Sequence, residues 1–139
     1  MPVPSASRQK VLATATALLA AVAAGGLAAV VGTLLHAHLA YAGDTPVPWG
    51  AVAALVFAGS VFTAAAVYSE RVWAAAAAGI TAYSLVAWVS MDERNRMIVS
   101  WANRELLPGP SLAGALWLYG IVAATVVALL ISARTLRSR

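Results

Sequence analysis

Four long apolar stretches constrain this chain more than anything else in it. They run from Val11 to Leu35, Trp49 to Tyr68, Val72 to Ser90 and Ser111 to Ala133, and none holds a Lys, Arg, Asp, Glu or His in its interior. A helix crossing a hydrocarbon core about 30 Å thick needs roughly 20 apolar residues. Each stretch meets that length. Lipid offers no partner for a backbone N–H or C=O, so spanning segments must be helices or strands of a closed barrel. Barrel strands alternate apolar and polar over about 10 residues. These runs do not alternate and are rich in Ala and Leu. The sequence therefore predicts an all-α integral membrane bundle of four transmembrane helices with short loops, one domain over residues 1–139.

Composition agrees. Hydrophobic residues make up 62% of the chain and charged residues 10%, against about 25% charged in soluble domains. Ten residues precede the first stretch and six follow the last, so no soluble domain is expected. Arg8 and Lys10 before an apolar run suggest a signal peptide, and Ala40-Tyr41-Ala42 resembles a cleavage site. A signal core is about 7–15 residues, and this run is longer, so a retained signal-anchor span is predicted. The net charge of +4 comes from bases scattered at span ends, which reads as topogenic charge and not as a nucleic-acid surface. With no cysteine, disulfides and thiolate metal sites are excluded.

Basic residues flank membrane spans preferentially on the cytoplasmic side. With four spans, Arg8, Lys10, Arg71, Arg134, Arg137 and Arg139 share one side, and Arg94, Arg96 and Arg104 share the other. Six against three predicts a multi-pass plasma-membrane protein with both termini cytoplasmic. Tyr41, Trp49, Trp88 and Trp101 fall at the outer interface, and Tyr68 and Trp73 at the inner one, where rings with polar tips are favoured. The link Ser69-Glu70-Arg71 is short enough to make spans two and three antiparallel neighbours. Ser111 is the predicted N-cap of span four.

Small residues let membrane helices approach. The inward faces are predicted at Gly25, Ala28, Ala29 and Gly32 on span one; Ala54, Ala58 and Gly59 on span two; Ala74 to Gly79 on span three; and Gly120, Ala124 and Ala128 on span four. Leu and Val face outward. Ser60, Thr63, Thr81 and Ser84 are expected to bond back to carbonyls one turn earlier. Tyr83 and Tyr119 are read as bundle contacts.

Residues with chemical potential are few. His36 and His38, with Asp44 nearby, are of metal-ligand type. A spacing of two points the rings to different sides of a helix, so no metal site is predicted and the pair reads as interfacial histidines. No cofactor is implied. The third loop, Met91 to Pro110, concentrates charge. Met97, Ile98, Trp101, Ala102 and Leu106 recur at helical spacing, opposite Arg96, Ser100, Asn103 and Arg104. This predicts a short interfacial helix anchored by Trp101, or a protein-docking surface, with Arg94, Arg96, Trp101 and Arg104 as interaction residues. No phosphate loop, nucleophile elbow or HExxH motif is present, and an enzyme is not expected.

Among small four-span classes, multidrug exporters rely on a span-one carboxylate and paired fluoride channels on a span-one arginine; neither is present here. Gly32-Thr33-Leu34-Leu35-His36, Val47-Pro48-Trp49-Gly50 and Leu112 to Gly120 do carry a resemblance. In these pieces the chain resembles an actinobacterial family of small four-span membrane proteins, a domain of unknown function. That resemblance implies a fold and a location, and no activity or site. Two functional expectations follow from the residues: a structural or accessory subunit of a larger membrane complex, or a small oligomeric transporter or channel. Charged intramembrane groups usually mark transport paths, and their absence favours the first. The lipid bilayer is the one partner implied directly; self-association is the other contact such small-residue faces permit.

Overall fold

The computed structural model describes residues 5–92 and 97–138. Four helices dominate: α1 (Ala6–His36), α2 (Trp49–Tyr68), α3 (Trp73–Met91) and α4 (Pro108–Arg137). All four are long and apolar enough to cross a membrane, and they form the expected four-helix bundle. The outer pair is longer than the apolar runs alone suggest. α1 begins at Ala6 and α4 ends at Arg137, so both carry basic turns past the bundle at the end where the termini lie.

The helices run up, down, up, down. Each of α1 and α4 packs against both α2 and α3, α2 touches α3 across the shorter diagonal, and α1 and α4 meet only narrowly. The short link does make α2 and α3 antiparallel, but they are diagonal partners and not the closest pair. The turn between them is built by the backbone. Glu70 adopts φ 56°, the Arg71 N–H donates to the Ala66 carbonyl at 2.9 Å, and the Glu70 N–H donates to the Val67 carbonyl at 3.2 Å. This is the Schellman termination, with Glu at the left-handed position that usually holds Gly.

The core is made of small residues. Ala21, Gly25, Ala28, Ala29 and Gly32 line the buried face of α1, Ala54 and Ala58 that of α2, and Ala74, Ala75, Ala78 and Gly79 that of α3. These residues turn inward as predicted, and Leu19, Val30, Val56, Ile80 and Leu130 turn outward, whereas Gly59, expected on the inward face of α2, is half-buried at its side. On α4 the prediction is only partly met. Ala128 is buried, but Gly120 and Ala124 are half-buried. The deep seam of α4 is instead Gly114, Trp117 and Ile121. The reason is volume. Three alanine-lined faces leave a central gap that α4 fills with large side chains, and Phe62 adds a fourth-side filler from α2.

Three of the hydroxyls expected to bond within their own helix do so, whereas the Ser132 hydroxyl on α4 is buried without a hydrogen-bond partner among the described residues. Ser60 donates to the Val56 carbonyl, Thr63 to Gly59 and Thr81 to Ala77, at 2.8, 2.8 and 2.9 Å. Tyr83 and Tyr119 are exposed, at 38% and 67%. They face the bilayer and are not bundle contacts.

Candidate functional site

At the loop end, the segment between α1 and α2 forms a hairpin that the sequence reading treated as plain loop. β1 (Ala40–Ala42) pairs antiparallel with β2 (Thr45–Val47), Tyr41 opposite Pro46. Gly43-Asp44 is the two-residue connection, and Gly43 has φ 64°, the arrangement of a type II′ turn. Gly-Asp between two short runs was the available signal. The hairpin lies on the start of α4, where Leu39, Pro46 and the Tyr41 hydroxyl crowd Gly109.

The two histidines part company here. His36 closes α1 and is buried, stacked on Trp117 with centroids 6.4 Å apart. Its Nδ1 lies 2.5 Å from the Thr33 carbonyl, so Nδ1 carries the proton and donates. His38 is exposed and turns to Trp49, 5.4 Å away, with Nδ1 2.9 Å from the Leu35 carbonyl. The rings therefore point to different sides, as their spacing requires. Among the described residues, no three His, Asp or Glu side chains gather at metal-binding distance.

The third loop departs from expectation. In place of an interfacial helix over 97–106 there is a single 3₁₀ turn, Trp101–Asn103. Ser100 explains it: its hydroxyl accepts from the Ala102 N–H at 3.3 Å, a local bond that competes with helix. Before it, Ile98 is buried and packs with the Val99 carbonyl against Gly114. The apolar spacing thus reflects docking onto α4 and not an amphipathic helix. Nor is Ser111 an N-cap. α4 begins at Pro108, where a missing N–H costs nothing, and the Ser111 hydroxyl donates to the Ser100 carbonyl at 3.2 Å. Of the predicted interaction residues, Trp101 and Arg104 are exposed and adjacent, the guanidinium carbon 5.9 Å from the ring centroid. Arg94 and Arg96 lie outside the described residues.

Two lateral grooves, which sequence reasoning missed, open on the sides of the bundle. One runs between the parallel helices α2 and α4, where Gly59, Ala64, Gly120, Ala123 and Ala124 leave a trough of about 780 Å³. A second recess, bounded by Trp101, Leu112 and Tyr119, shares Leu55 and Gly120 with it. Together they extend along α4 from Leu112 to Ile131, roughly 28 Å at helical rise. The Ser60 and Thr63 hydroxyls that line the trough are bonded to their own helix, so its surface is apolar. The other groove, about 870 Å³, opens between α1 and α2 toward the termini end and is bordered there by Glu70 and Arg71. Patterns within one segment give no sign of either groove, because each is lined jointly by two helices.

The two ends of the bundle differ in charge. The termini end carries Arg8, Lys10, Arg71, Arg134 and Arg137 against Glu70, and the loop end carries Arg104 against Asp44, Asp92 and Glu105, among the described residues. Comparison of the chain with protein-family models, with curated proteins and with solved structures returns no significant match.

Proposed function

We propose that this multi-span membrane protein is a structural, non-catalytic accessory subunit of a larger membrane complex, with both termini in the cytoplasm of the cell that makes it. The observation that carries the reading is the α2/α4 trough. Together with the recess that continues it, the trough extends roughly 28 Å along α4, close to the hydrocarbon thickness of about 30 Å, and its lining of Gly and Ala suits the close approach of another helix. Gly120 and Ala124, the half-buried part of the small-residue stripe of α4, line this trough. A transporter or channel would need a polar path. Here Trp117, Phe62 and Ile121 fill the centre, and the buried polar side chains among the described residues are His36, Ser111 and Ser132. The charge difference between the two ends supports the orientation.

The test is purification in native nanodiscs at endogenous expression, with a photo-crosslinker placed at Ala123, which is exposed in the trough. A stoichiometric partner crosslinked through one of its own membrane helices, and lost when Ala124→Phe is added to block the trough, supports the proposal. A pure homo-oligomer that conducts or transports in liposomes overturns it.

A further inference from the structure

The α1/α2 groove differs from the α2/α4 trough in having charged residues in its lining. Its lining on α1 runs from Ala13 to Leu27, roughly 21 Å at helical rise, against about 15 Å for half of a 30 Å hydrocarbon core. It therefore reaches from one interface past the middle of the core without crossing it, and a full transmembrane helix would overrun it. Ala17, Ala20 and Ala24 make the floor, and the mouth is formed by Glu70 and Arg71. From this geometry we infer that the groove seats an acyl chain of an anionic phospholipid whose phosphate is held by Arg71.

Three features of the mouth carry the headgroup assignment. Arg71 is half-buried, and its guanidinium carbon lies 5.9 Å from the Trp73 ring centroid, a contact that holds the cation at the groove. Tyr68 borders the groove and is 89% exposed, at the level where aromatic rings meet lipid headgroups. Lys10 lies one helical turn before Ala13, on the same face of α1 by spacing. Around them the termini end carries five described cations against the single carboxylate of Glu70, and phosphate oxygens are the natural partner of a guanidinium fork. An anionic headgroup satisfies that excess; Glu70 opposes it.

Native mass spectrometry of the purified full chain, titrated separately with phosphatidylglycerol and phosphatidylcholine, tests the site. The first phosphatidylglycerol should bind about fivefold more tightly than phosphatidylcholine, the effect of one well-placed base. Arg71→Gln should abolish that preference, Ala20→Phe should remove the tight site for both lipids, and Glu70→Gln should strengthen phosphatidylglycerol binding. Arg134→Gln, which deletes a charge at the same end outside the groove, should leave the preference intact. Equal affinity for the two lipids overturns the proposal. So does an equal loss in Arg134→Gln, which means diffuse attraction. Weakening by Glu70→Gln would mean a zwitterionic headgroup, and a dimer dissociated by Ala20→Phe would mean a second copy; either outcome overturns the assignment.

Discussion

Trp117 of α4 lies across Gly32 of α1, joining two helices that otherwise scarcely meet. A Cβ placed at position 32 would fall within the indole, on Cζ2 and Cη2. The indole is fully buried, stacks beside His36, and donates Nε1–H to the Thr33 hydroxyl at 3.3 Å. The largest side chain in the core thus depends on the smallest one opposite it, and the pair fills the centre of the loop-side half of the bundle.

Gly32→Ala is expected to cost about 1–3 kcal/mol, the range for overpacking a close-packed core. Trp117→Ala should cost about 3–5 kcal/mol through the cavity it leaves. In the double variant the two losses should fall well short of adding, because the added methyl then has room. Thermal unfolding in detergent, followed by loss of the monodisperse peak, reads all three. Strict additivity would mean that the two residues do not share the space.

Adjacent glycines on α1 should respond in opposite directions. A Cβ at Gly25 meets the Ala78 carbonyl oxygen and lies 2.7 Å from Thr81 Cβ, whereas a Cβ at Gly26 meets nothing within 4 Å. Gly25→Ala should therefore destabilise by about 1–3 kcal/mol. Gly26→Ala should stabilise by up to about 1 kcal/mol through helix propensity alone. The same unfolding assay compares them directly, and a loss in both would place the α1/α3 contact on the wrong face.

At the turn between α2 and α3, Glu70 holds a left-handed conformation at φ 56°. A side chain there costs roughly 1–2 kcal/mol, and glycine removes the cost. Glu70→Gly should stabilise by up to about 1 kcal/mol after the greater freedom of the unfolded chain is set against it, read as a higher unfolding midpoint. Glu70→Ala, which keeps the Cβ, should give no such gain. If the two variants behave alike, the carboxylate and not the backbone governs this turn.

Orientation is checked with reporters. A fusion after Arg139 should report a cytoplasmic C-terminus, and an insertion at Asp92 should report the opposite side. Moving Arg71 and Arg134 to Gln reduces the basic excess at the termini end, and a mixed topology in that variant is the outcome expected if these charges orient the bundle. A cytoplasmic signal from the Asp92 insertion would reverse the assignment.

Sequence alone determined the number of spans, their helical nature and most of their inward faces. Those properties follow from hydrophobic length and from the need to satisfy every backbone group in lipid, and both act within a single segment. It also placed the Ser60, Thr63 and Thr81 hydroxyls, because a Ser or Thr can bond to its own preceding turn. The tertiary structure alone decided what depends on two segments at once. Trp117 became the core filler because three alanine faces left a gap opposite Gly32, so α4 buries its large residues where its small stripe was expected to pack. The third loop folded onto Gly114 because Ile98 found a buried place there, and Ser100 then capped a 3₁₀ turn. Both grooves are lined by small residues from two helices at once, a property of the pair that neither helix carries in its own residues.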